Sequence, residues 1–407
     1  MRSVLAGRIG FTLGGLVLYR LGTYVPLPGI DPVLWEQVFR SQSSGILGAL
    51  DVLSGGAIQR LSIFSIGIFP YITTAVLVQL FTLVFGIRRR LDARGERGDR
   101  TIERVTLGLA ALSVMFQSLG IAQGLEGYGS VVSEPGWLFR LSTVATLTGG
   151  MFFLVWLSRQ ITLRGVGNGL ALLLFVGIAA EVPASIAVVL EFGQKGVAES
   201  NLVLEVLFAT AAVVVSIVVM ESARRRVPIE YSGRQVGGQT VVPRTSDLSL
   251  KLNNAGLIPV VVASWLLGVL RTLASLFGVP GSWLAAAAEQ LRIGRVGFAI
   301  FFVVATVLLA LIYTALILDP EETAKKLERF GGSILGVESG EATAEHIDFI
   351  LSRTALLGGV YLAFVCLIPD MLIAYAQVPF YFGGTAALIV VSTVLDIDQQ
   401  IRVEGLA

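Results

Sequence analysis

The segment VGFAIFFVVATVLLALIYTALI, residues 296–317, runs for 22 residues without a charged side chain. At a helical rise of about 1.5 Å per residue, such a run matches the hydrocarbon thickness of a bilayer. Inside lipid every backbone N–H and C=O must be satisfied within the protein, so only helices and closed barrels can span. The apolar residues are continuous rather than alternating, which predicts a helix. Nine further runs share this character, at 7–26, 59–86, 105–125, 138–157, 168–190, 201–220, 254–278, 354–374 and 378–396. Only 14% of the 407 residues are charged, against roughly 25% in a soluble chain. The expected class is therefore all-α: a polytopic membrane protein with ten transmembrane helices. No small-residue cleavage site follows the first run, which is read as a retained span rather than a signal peptide.

Ten spans place both termini on one side, and positive charge chooses that side. With cytosolic termini, 22 of the 30 Lys and Arg residues fall in inner segments and seven in outer ones, with Arg20 inside the first span. A net charge of +1 offers no overall basic field for nucleic acid. Two inner loops are long, 221–252 and 318–352. The first contains VPIEYSGRQVGGQTVVP, two β-prone arms about a Gly-containing turn, which predicts a hairpin. The second opens DPEETAKKLERFGG. Asp319 suits an N-cap, Pro320 the first helical position and Gly331 the stop, so a helix is expected to extend out of the eighth span.

Ten spans also divide into two halves of five, 1–190 and 191–407. The second span carries IGIFPYI and the seventh NAGLIPVVV; the fifth begins GVGNGLALLLF and the tenth YFGGTAALIVV. Spans two and seven, and five and ten, run in opposite directions, as an inverted repeat requires.

Much chemistry is excluded. His346 is the one histidine, so no zincin or His-based metal cluster exists, and no GxxxxGK[ST] phosphate loop occurs. Cys366 is the single cysteine, which rules out an internal disulfide. No carboxylate pair lies deep in a span; Glu181 and Asp370 sit near predicted span ends. That scarcity argues against an ion-coupled transporter. One further oddity is a short apolar run, Ile46 to Leu53, broken at Ser54-Gly55-Gly56 just before the second span. It is too short to cross, and its residues alone fit either an interfacial re-entrant helix or a gate. A polypeptide channel, a solute transporter and a scaffold without a pore all remain open on this ground. The transporter would call for a polar midplane site on interrupted helices.

Six motifs go further: YRLGTYVPLPGID (19–31), LSGGAIQRLSIFSIGIFPYI (53–72), RGVGNGLALLLF (164–175), LKLNNAGLIPVV (250–261), DPEETAKKL (319–327) and VPFYFGGTAALIVV (378–391). In this order, over essentially the whole chain, they resemble the SecY family, the central subunits of the bacterial protein-translocation channel. The resemblance implies two pseudo-symmetric halves around a central pore closed by a plug half-helix. The plug falls at about 46–56 and includes Ile46, Leu47, Leu50, Val52, Leu53, Ser54, Gly55 and Gly56, with the two glycines as a hinge. The pore ring falls on Ile68, Ile72, Leu174, Val261 and Ile389. Ile68 and Ile72 are four residues apart and share a helix face, and an aliphatic ring resists water and ions by dewetting while accepting any peptide sequence. A lateral gate, between spans two and three and spans seven and eight, carries Thr73, Gln117 and Asn253 and releases apolar segments into membrane lipid.

Cytosolic docking falls on Arg224, Arg225, Arg226 and Arg234, facing ribosomal RNA or a motor; Arg224 to Arg226 also serve as positive-inside anchors. The second loop departs from the family: GVESGEAT places Glu338 where members carry an arginine within GxRPGxxT. Implied partners are the SecE and SecG subunits, the SecA motor ATPase, the ribosome and signal-sequence-bearing polypeptides, with SecD/SecF and YidC as further candidates. The implied location is the bacterial plasma (inner) membrane, multi-pass, with both termini cytosolic. No catalytic residue, metal or cofactor is implied, since SecA, translation and the membrane potential supply the energy.

Overall fold

The computed structural model describes residues 2–42, 51, 54–87, 91, 95–194, 200–231, 235–236, 239–240, 245–277, 283–292, 294–376 and 383–406. Each predicted apolar run contains a helix: α1 (Arg2–Gly22), α3 (Phe69–Val84), α4 (Glu96–Glu126), α5 (Trp137–Arg164), α6 (Gly169–Gln194), α7 (Ser200–Ser222), α8 (Ile258–Phe277), α10 (Val296–Ile317), α12 (Glu341–Ala376) and α13 (Gly384–Leu406). Among the described residues, α4, α5, α6, α10 and α12 are long and apolar enough to cross a membrane; α3 and part of α7 are shorter apolar helices. Large side chains such as Phe116, Leu138 and Phe208 stand exposed on α4, α5 and α7. In water such surface would be a liability, whereas in lipid it is the solvated face.

Two short helices were not predicted, α2 (Pro32–Gln42) and α9 (Trp283–Gln290). Asp31 starts the first, its Oδ1 accepting from Val33 N at 2.9 Å and Leu34 N at 3.2 Å. Trp35 and Phe39 then seat α2 in a core with Leu27, Leu61 and Phe139, and Trp35 Nε1 donates to the Ile58 carbonyl at 2.9 Å.

The second span differs from the expected 59–86. Residues 55–68 are turns, and the helix begins only at Phe69. Leu61 and Gly67 have positive φ, 44° and 66°. The segment also pairs with the end of the first span's loop, Leu27 N donating to Leu61 O and Ile63 N to Val25 O, both at 2.9 Å. Apolar residues here, Ala57, Leu61, Phe64 and Ile68, are buried by successive turns rather than by a helix face. Pro70 is the second helical residue of α3, and Pro259 is the second of α8. Both apolar-Pro knots are thus helix starts, where a missing N–H costs nothing.

The structure divides into two compact units, residues 1–214 with 369–407, and residues 215–368. In the first, α5 packs on α4, α6 and α1, and α13 packs on α6. Their core holds Tyr19, Phe64, Val114, Met151, Leu154, Ile161 and Leu173. The Gly-rich start of α6 is a close approach: a Cβ on Gly169 would overlap the Ser158 carbonyl of α5. Gly167, at φ 85°, donates its N–H to Gln400 Oε1 on α13 at 2.7 Å.

In the second unit, β1 (Arg224–Tyr231) pairs antiparallel with β4 (Thr245–Lys251), from Arg224↔Lys251 to Glu230↔Thr245. A smaller ladder of β2 (Gln235–Val236) and β3 (Gln239–Thr240) lies between them in sequence. The hairpin is therefore longer than its predicted arms, and takes Arg224 to Arg226 into a strand. β5 (Gly332–Ile334) pairs with the other edge of β1, giving the order β4-β1-β5. Val227 and Ile229 alternate with exposed neighbours and bury against Leu327, Ile347, Ile350 and Leu351. That burial explains why α12 begins 13 residues before the predicted ninth span. The helix after the eighth span, α11 (Pro320–Arg329), is separate rather than an extension. Leu318 is extended at φ −100°, ψ 102°, and Asp319 Oδ1 caps a fresh N-terminus through Glu321 N at 3.0 Å and Glu322 N at 3.2 Å.

Candidate functional site

Ile46, Leu47, Leu50, Val52 and Leu53 of the expected plug lie outside the described residues, as does Arg234. Asp51, Ser54, Gly55 and Gly56 are described. Asp51 and Ser54 are helical, and Gly56 N closes the end by donating to Asp51 O at 2.9 Å. Gly55 and Gly56 follow at φ 71° and 75°, a left-handed pair that any Cβ would strain. There is also no room for one. A Cβ on Gly55 would stand 2.8 Å from Gly177 Cα, and one on Gly56 2.5 Å from Glu181 Oε1.

A helix end leaves carbonyls without intrahelical partners, and here side chains supply them. Tyr19 Oη donates to Ser54 O at 3.1 Å. Arg20 Nη1 donates to Gly55 O, and Arg60 Nη1 reaches Gly55 O at 3.2 Å and Gly56 O at 3.0 Å. Glu181, from α6, sits 3.5 Å from Arg20 Nη2 and 3.7 Å from Arg60 Nη2. The Tyr24 ring lies against both guanidinium groups, 5.3 Å and 4.3 Å from its centroid. On the other flank Asp51 Oδ1 accepts from Gln59 N at 2.7 Å. The sequence marked Arg20 and Glu181 only as charges in or near spans. Nothing local says that residues 161 positions apart meet.

Of the expected ring, Ile68 is buried in the core of the first unit, and Ile72 and Leu174 pack against that core. Ile68 is the N-cap of α3, with Ile72 N donating back to its carbonyl at 3.2 Å. Ile389 is buried on α13, the helix packed on the α6 of Leu174. Val261 lies in the second unit, half-buried on α8. Each residue of the expected gate has a partner within its own unit. Thr73 Oγ1 donates to Phe69 O at 3.0 Å, and exposed Gln117 Nε2 to Ser113 Oγ at 3.0 Å. Buried Asn253 is the most tied: its Nδ2 donates to Glu221 Oε1 at 2.8 Å, and its Oδ1 accepts from Gly256 N at 3.0 Å.

On the long loops, Arg224, Arg225 and Arg226 are exposed along β1. Glu338 is exposed too, and its carbonyl accepts from Thr343 Oγ1 at 2.7 Å, which fixes the turn into α12. Between α11 and the start of α12 runs a groove of about 630 Å³, lined by Asp319, Glu321, Glu328, Glu341, Glu345 and Asp348 with Lys325. Among the described residues no three His, Cys, Asp or Glu side chains are grouped to hold a metal ion.

The fold and this site define a multi-pass helical membrane protein whose second apolar run is preceded by the segment Ser54-Gly55-Gly56, tied by Tyr19, Arg20, Arg60 and Glu181. A model of the SecY family matches residues 62–397. The protein translocase subunit SecY of Escherichia coli K12 is 36% identical over 400 residues, covering 97% of this chain and 90% of that protein. Among solved structures, one described as the structure of a protein conducting channel aligns with a TM-score of 0.70 at 18% identity, over 99% of this chain and 93% of its own. Sec61 in a canine ribosome-channel complex from the endoplasmic reticulum aligns with a TM-score of 0.66 at 17% identity, over 99% and 93%. The chain belongs to the SecY family.

Proposed function

We propose that this chain is the central pore-forming subunit of a Sec translocon. It passes unfolded secretory polypeptides across the bacterial plasma membrane and releases apolar segments sideways into the bilayer. The observation that carries this reading is the tied end of the 46–56 segment, set in one unit with the aliphatic core of Ile68, Ile72 and Leu174, in a chain 36% identical to a translocase subunit over nearly its whole length. In this reading Ile68, Ile72, Leu174, Val261 and Ile389 form the constriction, and residues 46–56 the plug. The halves 1–190 and 191–407 enclose the pore. Thr73, Gln117 and Asn253 mark the lateral gate. Thr73 and Gln117 hydrogen-bond within their own helices; any polar contact they make across the seam would be worth only about 0.6–2 kcal/mol, a scale that an entering apolar segment outweighs. The chain acts as a conduit rather than an enzyme, with SecE and SecG bound beside it, SecA as motor and both termini cytosolic. A ribosome-bound relative supports the exposed β1 arginines as a ribosome or motor contact.

The test places a photo-crosslinking residue at Ile72 in membranes carrying the assembled channel, then adds a stalled chain with a signal sequence. Crosslinks to successive residues of that chain are expected. Absence of crosslinks at Ile72, Leu174 and Ile389, with the chain targeted and SecE bound, overturns the proposal.

A further inference from the structure

We propose that Glu181 is a positioning residue for the plug: it holds Arg20 and Arg60 on the carbonyls of Gly55 and Gly56 and so latches the closed state. The inference rests on the channel reading given above. Three separate segments supply the latch, α1 through Arg20, the turn after the plug through Arg60, and α6 through Glu181. The two guanidinium groups converge on two adjacent carbonyls, which are neutral and cannot offset two positive charges. Glu181 is the acidic side chain placed to do so. Its side chain is 12% exposed, and those of Arg20 and Arg60 are 24% and 29% exposed. In such a partly buried site, removing one sign leaves the other poorly compensated. Asp51, the other carboxylate nearby, is engaged by Gln59 N and is no substitute.

The backbone makes the latch consequential. Gly55 and Gly56 are packed against Gly177, Arg60 and Glu181, so the tail of the plug cannot swing without leaving these contacts. Moving the plug therefore means withdrawing both arginines from their carbonyls. With Glu181 neutral, Arg20 and Arg60 repel across the same short gap, and their hold on Gly55 and Gly56 loosens. A coupling of this kind shifts a two-state equilibrium by about 5–150-fold, and for one carboxylate shared by two arginines about tenfold is expected.

The full chain with its SecE partner is reconstituted in liposomes without motor or substrate. Two rates are read: iodide efflux through the resting channel, and labelling of S54C by a membrane-impermeant maleimide. Ser54 is buried when the tail is latched. Glu181→Gln is expected to raise both rates about tenfold, and Glu181→Asp, which keeps the charge, to restore most of the seal. A purely packing role predicts no such difference between Gln and Asp. Rates equal to wild type for Glu181→Gln, in normally assembled complex, overturn the latch. If Glu181→Gln does not accumulate, Arg60→Lys keeps the charge but cannot meet the two carbonyls through one nitrogen and Glu181 through another. It should raise both rates, and unchanged rates again overturn the proposal. Export by the wild type with SecA is measured in the same vesicles. Absent export strikes the channel reading, whereas normal export with an unchanged Glu181→Gln leak strikes the latch alone.

Discussion

Two adjacent glycines of α5, Gly149 and Gly150, should respond oppositely to the same substitution. Gly149 is exposed, and a Cβ there would meet nothing within 4 Å. Gly150 is buried against the turn segment of residues 55–68, where a Cβ would overlap the Ile63 carbonyl and stand 3.3 Å from the Phe64 ring. Replacing a helical Gly by Ala gains up to about 1 kcal/mol of helix propensity. Overpacking costs about 1–3 kcal/mol, towards the upper end where the obstacle is backbone. Gly149→Ala is thus neutral to stabilising by about 1 kcal/mol, while Gly150→Ala is destabilising by a net ~2 kcal/mol. For a chain of this size that is roughly 2 °C in Tm. The assay is the loss of monodisperse protein on heating, at one fixed heating rate because unfolding of such proteins is rarely reversible. Ile63 leads directly to Phe64 and Ile68; if Ile68 lines the constriction as proposed, the same change should also raise resting ion leak. If Gly150→Ala melts with or above Gly149→Ala, the close approach of α5 to this segment is wrong.

Two further outcomes follow from local contacts. Asp319→Ala removes the cap of α11, worth about 1 kcal/mol; faster amide exchange is expected at Glu321 and Glu322, with the remaining helices unaffected. At the C-terminal end of α4, the Arg140 guanidinium, with Gly136 N–H, holds the Glu126 carboxyl below its ordinary range. A carboxyl lowered on folding adds stability above its unfolded pKa and loses it as pH falls through the lowered folded value. Tm should therefore fall as pH drops below about 4.5, and Glu126→Gln should flatten that part of the profile.

Much of the fold is legible because lipid leaves few options. The run 296–317 is read as a helix from hydropathy alone and is found as Val296–Ile317. Asp319, Pro320 and Gly331 set the ends of α11 as their chemistry dictates, Gly331 taking φ 72°. Asp31-Pro32 is the same start signal, and α2 could have been found from it. Hydropathy misleads at 59–68 because turns buried in a core need the same apolar residues as a span. It also misses the start of α12, where charged neighbours dilute the apolar period of Ile347, Ile350 and Leu351. The site divides in the same way. Ile68 and Ile72 share a face by spacing alone, whereas the meeting of Arg20, Arg60 and Glu181 is a tertiary event that no local pattern records.

The pairing of β5 with β1 joins two loops that are far apart in the chain. Ile229 lies opposite Ile334 and Tyr231 opposite Gly332, and both strands share a core with α11 and α12. A partner that grips the β1–β4 ribbon therefore grips the second loop as well. α12, Glu341–Ala376, starts in that core and leads into the ninth apolar run, with Pro369 inside its last turns. Mechanically the two loops form one handle at the base of α12, so a load on the β1–β4 ribbon is shared with the second loop and with the first turns of that helix.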